Sequence, residues 1–310
     1  MLVRMKEKLS RRGLFGVLAM SFARGADLLE TARASASTSH SRWYRVHATV
    51  TLLSVPIFSK ENVGGACAMV EDLLSGSSRV SSIQFSSGSW PERLNGFNRF
   101  GMAQEAVRAE AGAIAESAYL SFMTSSAEKN LDQAQKSFTE QANAQQISVA
   151  HGRASRSGYA SALDHLSVPA RSTWADCPRL ILEMRDRLSP LKEAVAANRD
   201  SAFQPFLHTV RAAMASAAPS AETVFAHNAK LYRLRTRTSR VPEGILLVGK
   251  IAEYGTNQES EFKVWFDPHD ASGLPLRFEF RPKSFLHLVY EQDPSVSAPK
   301  FSSVIAQEAS

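Results

Sequence analysis

Eight histidines stand in this chain, at 40, 47, 151, 165, 208, 227, 269 and 287, and no two are four residues apart. A zinc-hydrolase helix needs imidazoles at i and i+4, so that chemistry has no support. The G-x-S-x-G elbow and the S-x-x-K pair are also missing, which removes the common serine nucleophiles. Asp267-Pro268-His269-Asp270 carries metal-capable side chains, but it sits in a Pro/Gly/Asp-rich stretch that predicts a hairpin loop. Arg233, Arg235 and Arg237 alternate along a predicted strand. They suit either a grip on an anionic headgroup or phosphate, or a solvated sheet face. No glycine-rich phosphate loop occurs, and Gly64-Gly65 reads as a tight turn, so no cofactor is expected.

The stretch 86–102 (SSGSWPERLNGFNRFGM) stands apart from its surroundings, with three Gly, one Pro, two Asn and three aromatics. That is the composition of an ordered loop, and ordered loops often carry binding residues. Trp90, Glu92, Arg93 and Arg99 are its candidates for contact with a polar ligand. The other reading is that Trp90, Phe97 and Phe100 simply anchor the loop to the core. Cys67 and Cys177, separated by 110 positions, belong to no C-x-x-C pair. They pair in an oxidising compartment or stay as free or buried thiols.

Ser10-Arg11-Arg12 precedes an apolar run, Leu14 to Ala23, and small-residue sites follow at Ala32-Arg33-Ala34 and Ala34-Ser35-Ala36. A basic start, a short apolar middle and an A-x-A exit predict an export signal over 1–36, and the paired arginines predict the twin-arginine type. The alternative is an amphipathic helix of a cytoplasmic protein. The run is too short to span a bilayer, which needs roughly 20 apolar residues. Residues 1–36 hold seven Lys+Arg against three acids, a net of +4 out of +6, which leaves only +2 for residues 37–310. No nucleic-acid partner is implied by so small a surplus.

These side chains need elements to position them. Tyr44, Val46, Ala48, Val50 and Leu52 alternate with polar residues, which predicts a half-buried strand over 44–54. Strands at 65–74 and 79–86 complete a meander. The Ala- and Glu-rich stretch 103–144 predicts two helices, the second behind a capping box at Ser125-Ser126-Ala127-Glu128. Residues 147–168 lean to strand, 177–188 and 206–217 to helix. Four β segments follow: Val224–Thr238, Gly244–Tyr254, Glu261–Phe266 and Leu274–Tyr290. Strands grouped apart from helices predict an α+β fold. Its form would be one curved antiparallel sheet, a β-cradle or half-barrel, with helices packed on the concave side and a helical insertion at about 103–144. A single domain over 37–293 and a disordered tail over 294–310 complete the organisation.

Lys263-Val264-Trp265-Phe266-Asp267, followed by Gly273-Leu274-Pro275-Leu276-Arg277-Phe278-Glu279, resembles the end of exported bacterial proteins of unknown function. Their layout is similar to the periplasmic lipoprotein carriers, a half-barrel closed by helices over an apolar cavity. The resemblance covers about 224–290 and implies a β-cradle and a hydrophobic or lipid-like ligand, with no catalytic residue. Leu234, Phe262, Val264, Phe266, Leu276, Phe278 and Phe280 are the candidate cavity lining. The expected function is therefore non-enzymatic binding of a lipid or acyl chain by an exported, periplasmic or extracellular protein, with the export machinery as its other partner. Two alternatives stay open: a cell-envelope enzyme or remodelling factor using the 86–102 loop, and an intracellular scaffold without ligand.

Overall fold

The computed structural model describes residues 38–52, 55–75, 78–90, 93–94, 100–111, 113–125, 144–155, 158–169, 180, 183–195, 204–227, 230–256, 259–283 and 285–296. The predicted leader, residues 126–128 of the capping box, and 177–179 and 181–182 of the predicted 177–188 helix lie outside these residues; Arg185–Arg187 of that helix form a 3-10 turn. Fourteen strands form one antiparallel sheet. They are β1 (Thr38–Leu52), β2 (Val55–Ser75), β3 (Ser78–Ser89), β4 (Phe100–Glu110), β5 (Ala113–Ser125), β6 (Ala144–Ser155), β7 (Gly158–Pro169), β8 (Lys192–Val195), β9 (Ser220–His227), β10 (Lys230–Val241), β11 (Gly244–Glu253), β12 (Glu259–Phe266), β13 (Arg277–Lys283) and β14 (Leu286–Gln292). One complete α-helix, α1 (Phe206–Ser216), is present among the described residues.

Sequential strands pair as meanders on either side of a single long-range joint, where β1 pairs with β14. There Val46 faces Tyr290, Ala48 faces Leu288 and Val50 faces Leu286. The sheet edges are thus β8 and β9. Side chains bridge that seam: Leu231 of β10 packs on the Tyr119 and Tyr159 cluster, and the Tyr119 and His227 rings lie 5.4 Å apart. The result is a barrel-like curled sheet, with α1 on its inner face.

The α+β expectation, with several helices packed on the concave side, is overturned: the described residues are nearly all antiparallel strand, with one complete α-helix. The stretch 103–125 is not helical but forms most of β4 and β5, paired on both sides. Intrinsic helix preference differs among ordinary residues by at most about 0.7 kcal/mol each. Two complete hydrogen-bonded ladders outweigh that difference. Two-faced burial also hides the alternation, since Gln104, Glu105, Ala106 and Val107 are all buried in succession. Of the predicted 177–188 helix, Leu180 and Met184 are described and buried, with the Met184 N–H donating to the Leu180 carbonyl at 3.1 Å. Together with Leu188 they cover the outer face of β4–β6 at Phe122, Ile147 and Val149. The predicted helix at 206–217 is α1.

Gly64-Gly65 is likewise no turn; both lie inside β2. A register shift opposite Val46/Ala48 bends the strand, with Asn62 at φ 57°. Gly64 is needed because a Cβ there would stand 2.2 Å from the Gly88 carbonyl oxygen of β3. The first and last C-terminal segments each turn out to be a hairpin, β9–β10 and β13–β14. The Val241–Gly244 turn forms as predicted, with Gly244 at φ +126°.

Two clusters fill the inner face around α1. Phe278 and Tyr290 stack with centroids 4.2 Å apart, and Tyr44 and Phe85 meet Phe278 edge-on at 5.3 Å. Beyond them Leu234, Leu247, Phe262, Val264 and Phe266 pack with Met214 of the helix. The Phe262 ring lies directly over Gly249 of β11, where an added Cβ would stand 2.2 Å from it. Gly249→Ala should therefore destabilise the fold by about 1–3 kcal/mol through overpacking, measured by urea denaturation. An unchanged midpoint would show that the ring has somewhere else to go.

Candidate functional site

The helix α1 is tied to the sheet by a polar cluster. It begins after Pro205 with no side-chain cap and no acid in its first turn, so its first N–H groups need partners from outside. Glu105 of β4 supplies one: its carboxylate accepts from the His208 N–H at 3.1 Å and lies 3.4 Å from His208 Nδ1. His208 Nε2 lies 3.1 Å from the Ser81 carbonyl oxygen. One turn on, Arg211 donates to Ser81 Oγ at 3.1 Å and to Asp72 at 3.4 Å. Burial pushes the Asp72 pKa up, but Ser81, Arg211 and Arg79 together bring it below the ordinary carboxylate value. Glu105 thus acts as a cap delivered by a neighbouring strand, an anion at the positive end of the helix.

His151, Asp164 and Ser189 bring the residue types of a hydrolase triad together on the outer face, in the wrong order. Asp164 accepts from Ser189 Oγ at 2.5 Å and from the Ser189 N–H at 3.1 Å, and it lies 3.2 Å from His151 Nε2. A nucleophile needs its base on the hydroxyl; here the Ser189 hydroxyl donates to the carboxylate instead. Desolvation raises the Asp164 pKa, yet the bonds from Ser189 and His151 leave it below the usual range. The cluster fastens the chain after Met184 to β7. Glu116 does similar work between strands, gripped by Arg108 at 2.7 Å and Arg153 at 2.6 Å.

Among the described residues, one end of the barrel is filled and no element takes the corresponding place at the other. At the end near α1, the loop Asp267–Gly273 folds over the rim, held by Arg42 to Asp270 at 2.7 Å and by Arg42 to the Leu274 carbonyl at 2.5 Å. The predicted turn of Asp267-Pro268-His269-Asp270 is this loop, with Asp267 accepting from the His269 N–H at 2.8 Å. At the opposite end, large apolar side chains on the inner face meet solvent. Phe58 is 38% exposed, Phe280 36%, Leu163 49% and Met123 60%. Phe280 faces Phe262 and Leu288, and Phe58 faces Val50, so this surface continues the inner apolar wall.

The cavity candidates divide along that line. Leu234, Phe262, Val264 and Phe266 are fully packed around Met214, and Phe278 lies in the aromatic cluster. Leu276 is half-buried; its N–H donates to the Trp265 carbonyl at 2.7 Å. Phe280 alone of the seven reaches the open end. Of the loop candidates, Trp90 and Arg93 are described and Glu92 and Arg99 lie outside the described residues. The Arg93 guanidinium sits over the Trp90 ring at 5.4 Å, and the Trp90 N–H donates to the Val63 carbonyl at 2.8 Å. Phe100 anchors the far end of the loop in the core. Cys67 is a buried free thiol whose pKa burial pushes up to about 12, and Cys177 lies outside the described residues. Phe58, Met123 and Leu163 escaped the sequence reading, since their alternation looks no different from that of a filled strand.

No family model matches the chain, and no curated protein does. Among solved structures, the crystal structure of a β-barrel-like protein of domain of unknown function DUF1849 from Brucella abortus is similar. It shows 9% identity and a TM-score of 0.42, over 84% of this chain and 98% of that one. No helix among the described residues is long and apolar enough to cross a membrane.

Two histidines make the fold sensitive to acid. Burial lowers the pKa of His151, partly offset by Asp164, and burial lowers that of the half-buried His227, partly offset by Glu105. The unfolded chain therefore binds these protons first, so their contribution is complete above the ordinary histidine value of about 6.5. It is lost as pH falls from there through the depressed folded values. Thermal melting from pH 7.5 down to pH 5 should show Tm falling, and less steeply in His151→Gln. A Tm that rises on acidification would contradict this. Glu105→Ala should cost about 1–3 kcal/mol at neutral pH by orphaning the start of α1, seen as a lower urea midpoint.

Proposed function

We propose that this chain is a non-enzymatic binding protein for a hydrophobic, lipid-like ligand, and that it works after export directed by residues 1–36. The observation that carries the reading is the open apolar end. Phe58, Met123, Leu163 and Phe280 line the inner face where α1 does not reach, and they remain exposed to solvent. An inner wall of this kind gains about 25 cal/mol for each Å² of apolar surface that a ligand removes from water. An alkyl or acyl chain needs no more than that, and few polar contacts. The outer face of β10 and β11 supports the same reading, because Arg235 and Lys250 are exposed there. Charge on this part of the outer face and apolar side chains on the exposed part of the inner wall are the combination that a carrier in water requires.

Two measurements test this. Native mass spectrometry of the purified chain, with organic extraction, should find a co-purifying lipid, and a fluorescent long-chain fatty acid should bind and displace it. Phe280→Glu and Leu163→Glu should each weaken probe binding by about tenfold or more, with the melting curve retained. A lipid-free protein that ignores the probe would end the reading. The export component is tested by fusing residues 1–40 to a reporter: translocation that disappears when Arg11 and Arg12 become Lys supports it, and a reporter retained in the cytoplasm removes it.

A further inference from the structure

The turns at the open end carry a second pattern. Three hairpins of neighbouring strands end in exposed large side chains: Ile57 at 62% beside the β1–β2 turn, Tyr254 at 56% after β11, and Phe285 at 46% between β13 and β14. Two of them are locked side by side, since the Thr51 N–H donates to the Phe285 carbonyl at 2.8 Å. Of the exposed large apolar residues described, only Leu74 lies at the opposite end of the barrel. Basic groups flank two of these turns. Lys60, Arg93 and Arg281 are exposed, and the Lys60 ammonium donates to the Arg93 carbonyl, which brings Arg93 to the rim. The basic groups gather at the β1–β2 and β13–β14 turns, where Glu61 is the exposed acid described, while the Tyr254 hairpin is followed by exposed Glu259 and Glu261.

We propose that this rim docks on the headgroup region of an anionic phospholipid bilayer. Aromatic and branched side chains at turn tips enter the boundary between headgroups and acyl chains, while long basic side chains reach back to phosphate oxygens. A basic collar adds attraction to an anionic leaflet that decays within a Debye length. The proposal also gives a role to Arg93, which the inner wall does not use. It stands independently of the ligand reading, although a bilayer at the open end is where an acyl chain would enter.

The test is co-sedimentation of the purified full chain with phosphatidylcholine vesicles and with vesicles containing phosphatidylglycerol. Binding is expected to the anionic vesicles and to weaken with added salt. Ile57→Ser with Phe285→Ser should lower partitioning by about tenfold or more. Lys60→Glu with Arg281→Glu should abolish the preference for anionic lipid. No binding to either vesicle, or binding unchanged in both double variants, would overturn the proposal. So would self-association that the Ile57/Phe285 variant abolishes, because it would assign the rim to a second copy. Uptake of the fluorescent fatty acid without vesicles separates the two readings: a variant that loads the probe but does not sediment isolates docking from ligand binding.

Discussion

The pairing of β1 with β14 is the constraint on which the rest of the structure depends. Every other ladder joins strands that follow one another along the chain, so each closes over a limited stretch. This one brings Val46 to Tyr290 and has to hold two long meanders together. The entropy cost of closing a loop grows slowly with length, yet long-range pairing still returns nothing until it is complete. The aromatic cluster at the joint supplies the return. Phe278 meets Tyr290 face to face and Tyr44 and Phe85 edge-on, and such pairs contribute about 0.5–1.5 kcal/mol each beyond the area they bury. Tyr44 also donates its hydroxyl to the Pro275 carbonyl at 2.7 Å, and burial pushes that hydroxyl's pKa up. The same side chains therefore join the halves and seat the loop over the filled end.

Once the sheet is curled, its inside has to be filled or left open, and the two ends solve this differently. At one end α1 occupies the space, and it depends on the sheet for its own integrity. Pro205 offers no capping side chain, so the carboxylate of Glu105 does what a Ser or Asp would do within the helix. At the other end no described element takes the corresponding place. Phe58, Met123, Leu163 and Phe280 keep the alternation of a buried face without its burial. An apolar surface left facing water in this way is a cost that folding alone does not require. It makes sense as the site of an association.

Legibility in the sequence followed the physics of each element. Residues 44–52 could be read because one face is apolar and the other polar, and the 206–217 helix because its period is undisturbed by pairing. Residues 103–125 could not, since Ala, Ser and Glu alternate with little contrast and their strand state comes from ladders with β3 and β6. Gly64 likewise looked like a turn, whereas its meaning lies in the Gly88 carbonyl of another strand. At the site, Phe262 and Phe280 are equivalent in the pattern of alternation. Only the position of α1 makes the first a core residue and the second a rim residue. Arg93 was legible as part of an unusual loop but not as part of the rim, because the bond from Lys60 to the Arg93 carbonyl joins residues 33 apart.

The outer face explains why the open end is singular. Arg277 pairs with Glu279 at 2.6 Å and with Glu291 at 3.1 Å, and Arg235 with Glu259; the Arg233 guanidinium lies 5.7 Å from the Tyr254 ring centroid. Of the three alternating arginines, which suit either an anion grip or a solvated sheet face, Arg233 and Arg235 are thus engaged with neighbours. Exposed pairs of this kind contribute little stability, roughly 0–1 kcal/mol each, but they make a surface that water solvates. A barrel spanning a bilayer carries an apolar band on this face, whereas on β10–β13 the described outer face carries these charged pairs. Where the outer face is apolar, at Phe122, Ile147 and Val149, Leu180 and Met184 cover it, so most of the exposed large apolar side chains described lie toward the end of the sheet that α1 does not reach. That is the rim formed by the β1–β2 and β13–β14 hairpins, so strand closure, helix placement and surface charge all direct association to the same end of the molecule.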